Sequence, residues 1–247
     1  MIEYNPIPII FRLGQIEVHS IGFAFTLAFL LGFLLALKEV RRRELNPDDF
    51  KKMFFLIILG AIIGGRLFFV FENVKYFFDY PVEIFKVWKG GASSYGGFIG
   101  GFLLPFIYFK KNKLNFLSYA DAVVPALCMG IFIKRIGCFL NWCCYGSASS
   151  LPWAINAGDF PRHPTQIYLA LNGLILFFLF SKLKHKQKYS GWLLSWCLIV
   201  YGASRFLIEF LRDSERYLFN LTIAQWASGI LFALACFFIM NKEKQTD

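Results

Sequence analysis

Three arginines of this chain lie inside or at the end of apolar stretches, where a charge is costly. Arg66 follows two glycines in one stretch, and Arg135 opens the sequence RIGCFLNWCCYG. Arg205 lies four residues before Glu209 in a third. A charge at the centre of a membrane span costs about 2.5 to 3.5 kcal/mol on insertion scales, so such residues usually serve a function. A guanidinium presents a planar fork of donors that suits phosphate or carboxylate. The arginines therefore predict a site for an anionic ligand, and a phospholipid headgroup fits their position.

Polar residues near these arginines could complete the site. A spacing of four, four and three residues places Tyr201, Arg205, Glu209 and Arg212 on one face of a helix. Glu209 could orient Arg205 or balance its charge. The paired glycines after Tyr95 could allow close helix approach or leave backbone donors open to a ligand. The further candidates are Gly96, Gly97, Asn141, Gly146, His163 and Gln166.

Each candidate also has a purely structural interpretation. Arg66 could extend to the membrane interface without binding a ligand, and Tyr95 could belong to an aromatic belt. His163 precedes a proline at a predicted helix start, so it could be a polar cap. Glu209 could be a counter-ion only. For Arg135 and Arg205 together a structural role is less favoured, because each would otherwise carry an uncompensated cost.

The composition predicts an all-α polytopic membrane protein. Hydrophobic residues make up 57% of the chain, and 31 of the 247 residues are phenylalanine. Seven stretches are each near the roughly 20 residues that cross a bilayer as a helix. They are residues 18–37, 53–71, 90–109, 122–139, 163–181, 189–211 and 217–240. We therefore predict a single integral membrane domain over residues 1–247.

The net charge of +10 is distributed as in a membrane protein, not as in one that binds nucleic acid. Basic residues fall in the loops after the first, third, fifth and seventh spans, and the positive-inside rule makes these loops cytoplasmic. The N-terminus is then outside, and the C-terminus is cytoplasmic. In this orientation the candidate residues lie at the outer ends of their spans, which predicts a polar cavity open to the outer leaflet.

Two segments outside the spans are predicted to lie on the outer side. Residues 141–164 are rich in glycine, serine and proline and are predicted to form an outer loop or small insertion. The first residues do not resemble a cleaved signal peptide. Pro6 and Pro8 would break a helix there, so we expect a partly irregular amphipathic anchor.

The six cysteines divide into two groups. Three lie within predicted spans and are expected to be buried thiols. The other three, Cys138, Cys143 and Cys144, gather at the predicted outer face, where an oxidising compartment could pair two of them. A bond between the adjacent Cys143 and Cys144 would be strained. With only three histidines in the chain, a haem or zinc site has little support.

Seven motifs occur in the order in which one known family has them. They are HSIG from His19, GGR from Gly64, the paired glycines after Tyr95, RIG…N…G from Arg135, HPTQIY from His163, RFLIEF from Arg205 and AQ before Trp226. Along most of its length the chain thus resembles the bacterial prolipoprotein diacylglyceryl transferases. The resemblance implies transfer of a diacylglyceryl group from phosphatidylglycerol to the lipobox cysteine in the signal peptide of an exported prolipoprotein, with release of glycerol phosphate. It also implies a multi-pass protein of the bacterial cytoplasmic (inner) membrane that needs no metal or other cofactor.

The resemblance assigns the phosphate to Arg135 and Arg205, which would stabilise the charge that builds on the leaving group. The reaction also needs a base, because the thiolate is the nucleophile and a free cysteine has a pKa of about 8.5.

This sequence departs from the family pattern where a base and an acid are expected. The family commonly has histidine at the position of Tyr95 and tyrosine at that of Ile21. It commonly has asparagine and glutamate at the positions of Cys138 and Cys143. Either Tyr95 or His163 takes the proton, or the chain is a divergent branch with altered chemistry.

Two other function classes would also place arginines around a lipid headgroup. A lipid transporter or flippase would have polar residues near the membrane midplane and an internal repeat, and this sequence shows no repeat. A non-catalytic paralogue that binds lipid or signal peptide is the other alternative, and Tyr95 in place of histidine keeps it open.

Overall fold

The computed structural model describes residues 2–14, 16–86 and 90–244, and most of them are helical. Its α-helices are α1 (Ser20–Arg42), α2 (Pro47–Glu72), α3 (Val74–Asp79), α4 (Ser94–Lys111), α5 (Phe116–Leu140), α6 (Thr165–Leu183), α7 (Trp192–Glu209) and α8 (Ile223–Glu243). Within these ranges, six helices, α1, α2 and α5 to α8, are long and apolar enough to cross a membrane. The prediction of an all-α polytopic membrane protein is confirmed.

The 18-residue helix α4 coincides with the third predicted span. The count of seven spans and the orientation of the termini stay predictions. The short helix α3 and a 3-10 turn at Pro81–Phe85 lie between the second and third predicted spans, and hydropathy gave no signal for them.

Short strands occupy segments that we expected to be irregular. The strand β1 (Ile2–Glu3) pairs in parallel with β4 (Ile155–Asn156), and β2 (Ile9–Leu13) pairs antiparallel with β3 (Ile16–His19). Strands of two residues carry no detectable periodicity, so the sequence could not predict the first pair. The pairing attaches the N-terminus to the 141–164 segment.

Polar residues begin the helices where the apolar stretches start. The Oδ1 atom of Asn46 accepts a hydrogen bond from the amide of Asp48 at 2.8 Å and caps α2. Thr222 and Gln225 form a reciprocal capping box at the start of α8. The buried carboxylate of Asp121 accepts from the amides of Gly191 and Leu194 at 2.6 and 2.7 Å. These residues satisfy backbone donors that lipid could not.

The chain forms two compact units, of which one consists of Met1–Glu39 with Ala120–Asp247 and the other of Val40–Tyr119. The core of the first unit joins α5, α6 and α7. Its buried side chains are Val124, Cys128, Leu176, Phe180, Trp192 and Leu193.

Glycines let α2 and α4 of the second unit meet backbone to backbone. A Cβ atom on Gly64 would lie 2.3 Å from the carbonyl oxygen of Gly96, and one on Gly100 would lie 2.1 Å from that of Gly60. The four-residue spacing on both helices is the small-residue pattern of packed membrane helices. Gly96 therefore has a packing role. A Cβ atom on Gly97 would meet only an ordinary contact, 3.5 Å from the nearest atom.

We expect Gly100→Ala to destabilise the chain, because its new methyl group meets backbone that cannot move aside. Overpacking of this kind costs about 1 to 3 kcal/mol, so the midpoint of thermal unfolding in detergent should fall. Gly229→Ala is the matched control, since a Cβ atom there has nothing within 4 Å. Equal midpoints for the two variants would contradict the close approach of α2 and α4.

Candidate active site

Backbone hydrogen bonds hold the segment after α5 against the start of α6 and the end of α7. The amide of Gly146 donates to the carbonyl oxygen of His163 at 2.9 Å, and the amide of His163 donates to that of Ser147 at 3.0 Å. The amide of Ser147 donates to the carbonyl oxygen of Leu211, also at 3.0 Å. Three of the predicted polar segments therefore meet within the first unit.

Gly146 has to be glycine for this contact to form. A Cβ atom at this position would lie 2.4 Å from the carbonyl oxygen of Leu211 and 2.6 Å from the Cβ atom of His163. The structure thus gives Gly146 a packing role, and contact of Gly146 with substrate stays a prediction.

Side chains from α6 fix the carbonyl groups of the neighbouring cysteines. The Nε2 atom of Gln166 donates to the carbonyl oxygen of Cys143 at 2.9 Å, and Thr165 donates to that of Cys144 at 3.0 Å. Gln166 is fully buried, and its Oε1 atom has no hydrogen-bond partner in the part of the chain that the structure describes. One acceptor is therefore left over beside the cysteines.

The carboxylate of Glu209 lies between two arginines and is only 2% exposed. It forms an ion pair with Arg205 one turn before it, as the spacing suggested. Its Oε1 atom is 3.5 Å from Nη1 of Arg212 and accepts a hydrogen bond from Thr222 at 3.3 Å. Two guanidinium groups and one carboxylate leave a net charge of +1. Tyr201 is two turns before Glu209 and packs against the core of the unit.

Arg212 and Thr222 both contact Glu209 but were not among the predicted site residues. Arg212 was on the predicted helical stripe, and its Nε atom is buried without a hydrogen-bond partner among the described residues. Thr222 carried one signal, the Thr-x-x-Gln pattern of a capping box. That pattern predicts a helix start but no contact with Glu209.

Arg135 differs from the other two predicted arginines. It is half-buried in the last turns of α5, and no hydrogen bond or ion pair joins its guanidinium to a described residue. Its charge nevertheless acts on the thiols that follow. A hydrogen bond from Cys138 lowers the pKa of Cys144 to about 5, and the nearby charges of Arg212 and Arg135 lower it too.

The three cysteines at the end of α5 converge. The Sγ atoms of Cys138, Cys143 and Cys144 all lie within 4.8 Å of one another, and none of the three forms a disulfide. Burial raises the pKa of Cys143, and Asn141 lies within hydrogen-bond reach of its thiol. The sequence predicted that these thiols gather, and the structure adds that all three meet at one point.

Arg66 lies in the second unit and uses its donors within its own neighbourhood. Its guanidinium donates to the carbonyl oxygens of Ile84, Gly90 and Gly91 at 2.8 to 2.9 Å, and to that of Glu83. Four backbone acceptors satisfy it, so Arg66 shapes this loop. Its predicted role as a ligand for substrate stays untested.

The two candidate bases have different surroundings. Tyr95 is half exposed in the first turn of α4. The Nδ1 atom of His163 is 3.4 Å from the hydroxyl of Tyr168, which accepts a hydrogen bond from Trp153 at 2.8 Å. Only His163 lies in the same compact unit as Arg135.

Most of the chain is similar to known bacterial proteins. A sequence model of the family described as prolipoprotein diacylglyceryl transferase matches residues 8–241. Three relatives bear the name phosphatidylglycerol–prolipoprotein diacylglyceryl transferase. The one from Bordetella avium is 34% identical over 238 residues, which cover 91% of this chain and 90% of that protein. The one from Geobacter sulfurreducens is 33% identical over 240 residues, covering 94% and 92%. The one from Ehrlichia ruminantium, strain Welgevonden, is 34% identical over 244 residues, covering 92% and 93%.

With a match that spans nearly every residue, and with the motifs in their expected order, this chain belongs to the prolipoprotein diacylglyceryl transferase family.

Proposed function

We propose that this chain transfers a diacylglyceryl group from phosphatidylglycerol to the lipobox cysteine of an exported prolipoprotein, in the bacterial cytoplasmic membrane. The observation that carries the proposal is the half-buried guanidinium of Arg135, which has no partner among the described residues at the end of a membrane-length helix. Membership of the family supports it, since its relatives are named for phosphatidylglycerol and prolipoprotein.

The proposed reaction is a displacement at a glycerol carbon. The thiolate sulfur forms a bond to this carbon while the bond from the carbon to the phosphate oxygen breaks, and glycerol phosphate leaves with the electron pair. Negative charge grows on that oxygen in the transition state. Charge-assisted hydrogen bonds from a guanidinium that binds no other anion would stabilise it. We assign this role to Arg135.

Arg205 and Arg212 would act through the charge that they share with Glu209. One carboxylate between two arginines leaves a single positive charge, and burial protects this charge from screening by water. The excess charge would attract an anionic headgroup towards the end of α7. Glu209 is then a positioning residue that holds both guanidinium groups in place. Substrate contacts of Tyr201, Asn141 and Gln166 stay part of the proposal.

The acceptor thiol must lose its proton before it attacks, because the thiolate is the nucleophile. Tyr95 and His163 are the candidate bases that the sequence offers. A phenol acts as a general base less often than an imidazole does, so Tyr95 is the weaker of these candidates. An imidazole is the side chain that most often acts as a general base, so His163 is the stronger of the two candidates.

We expect Arg135→Ala to lower the rate of transfer by about 100-fold to 1,000-fold, the loss typical of removing one donor to a developing charge. The measurement is the mass gained by a lipobox peptide in vesicles that contain phosphatidylglycerol. Arg12→Ala is the matched control, because Arg12 is exposed and pairs with Glu17 in the hairpin. An Arg135→Ala variant that is folded and as active as the Arg12→Ala control would defeat the role assigned to Arg135, and no mass gain with the unsubstituted chain would defeat the proposed function.

We expect Glu209→Gln to lower stability by about 3 to 5 kcal/mol, since it leaves the buried Arg205 and the partly buried Arg212 without their counter-ion. The measurement is the midpoint of unfolding in detergent. Glu17→Gln is the control, as it breaks an exposed pair worth at most about 1 kcal/mol. Similar small shifts for both variants would show that Glu209 is not the counter-ion of Arg205.

A further inference from the structure

Three thiols converge at the end of α5, and the proposed transfer assigns no role to them. The Sγ atoms of Cys138, Cys143 and Cys144 lie within 4.8 Å of one another. In a tetrahedral zinc site with Zn–S bonds of about 2.3 Å, the sulfur atoms are about 3.8 Å apart. Each pair of thiols therefore needs to close by at most about 1 Å to bind one ion.

The backbone around the thiols is held in place by other parts of the first unit. The amide of Cys143 donates to the carbonyl oxygen of Cys138 at 3.0 Å. Trp142 and Cys144 both have a left-handed backbone, with φ of 48° and 62°, which bends the chain back after the helix. Thr165 and Gln166 donate hydrogen bonds to the carbonyl oxygens of Cys144 and Cys143 respectively. Preorganised ligands of this kind favour metal binding, because little ordering remains to be done.

The charges around the cluster suit a site rich in thiolate. Three thiolates and one Zn²⁺ ion carry a net charge of −1, and a fourth thiolate makes it −2. Arg135 lies one helical turn before Cys138, and both Arg135 and Arg212 are close enough to act on Cys144. The two guanidinium groups would offset this negative charge.

The three thiols of the cluster differ in how far they are exposed. Cys138 is 2% exposed, whereas Cys144 is exposed. Three protein ligands fill three positions of a tetrahedron, so the fourth would open at the accessible side. A zinc site with three protein ligands and an open position is the arrangement of catalytic sites rather than of structural ones.

We propose that Cys138, Cys143 and Cys144 bind one Zn²⁺ ion whose fourth position takes the lipobox thiol of the acceptor. This proposal rests on the proposed function. It replaces the metal-free chemistry that the resemblance implies with a route to the thiolate that needs neither Tyr95 nor His163 as the base. On coordination the thiol releases its proton to water and becomes a thiolate. The bound thiolate attacks the glycerol carbon, the carbon–oxygen bond to the phosphate breaks, and glycerol phosphate leaves with that electron pair. The product is a neutral thioether, a weaker ligand, and it leaves the metal.

The first test measures metal content. The full chain is purified in detergent with an affinity tag that contains no histidine, incubated with Zn²⁺, desalted and analysed by elemental mass spectrometry. We expect about one zinc ion per chain, as each thiolate ligand adds to a shared site. Cys138→Ser, Cys143→Ser and Cys144→Ser should each weaken zinc binding at least tenfold. Cys236→Ser, in α8 and outside the cluster, should retain the ion. A wild-type chain without zinc, or cluster variants that bind it as tightly, would overturn the proposal.

The second test asks whether the acceptor thiol completes the site, and it needs neither lipid nor turnover. With Co²⁺ in place of zinc, the protein should show a sulfur-to-metal charge-transfer band. A lipobox peptide should strengthen this band, whereas the same peptide with serine for cysteine should not. An unchanged band with the cysteine peptide would overturn the role in thiol activation.

The third test separates this proposal from the proposed function. Removal of zinc with a chelator should lower transfer about 100-fold, a loss in the range of general acid–base effects, and one equivalent of Zn²⁺ should restore it. Full transfer by the metal-free chain would keep the proposed function and overturn the zinc site. A chain that binds zinc and the peptide thiol but never transfers a diacylglyceryl group to the peptide would instead overturn the proposed function.

Discussion

The buried carboxylate of Glu209 is the group on which the geometry of the candidate site depends. It binds Arg205 on its own helix, Arg212 just after that helix and Thr222 at the start of α8. Arg212 in turn forms a backbone bridge with Gly146. A charge this deeply buried is stable only when its neighbours satisfy it, so the helix ends cannot separate without exposing an unpaired ion. The same ion pairs that stabilise the fold thus set the position of the segment that follows α5.

The three arginines that the sequence singled out differ in the partners that their guanidinium groups find. Arg66 is satisfied by backbone carbonyl groups of its loop, and Arg205 by the carboxylate of Glu209. Arg135 finds neither kind of partner among the described residues. A guanidinium whose donors are already used has little to offer a phosphate, whereas one left half-buried without an anion gains most from binding one. The spacing in the sequence had already paired Arg205 with Glu209, and the contacts in the structure now distinguish Arg66 from Arg135.

Helices and local pairs were predictable from the sequence, and contacts between distant segments were not. Hydropathy placed the six membrane-length helices because apolar length is a local property, and the spacing of Arg205 and Glu209 predicted their ion pair for the same reason. The pairing of β1 with β4 joins residues about 150 positions apart and leaves no local pattern. The meeting of three thiols depends likewise on two left-handed residues and on hydrogen bonds from α6. The sequence therefore indicated which residues gather, and the backbone decided how closely.

The helix α5 relates the two halves of the proposed reaction. Arg135 and Cys138 are three residues apart, so their Cβ atoms are about 5 to 6 Å apart on one face of this helix. A displacement requires the attacking sulfur and the leaving oxygen on opposite sides of one carbon. If Arg135 binds the phosphate and the cysteine cluster binds the acceptor thiol, one helical turn separates the two groups that must approach this carbon. At Gly137 this helix packs closely against α1. A Cβ atom on Gly137 would lie 2.3 Å from the Cβ atom of Ala24. A rigid helix can keep such a separation constant, which a flexible loop could not do.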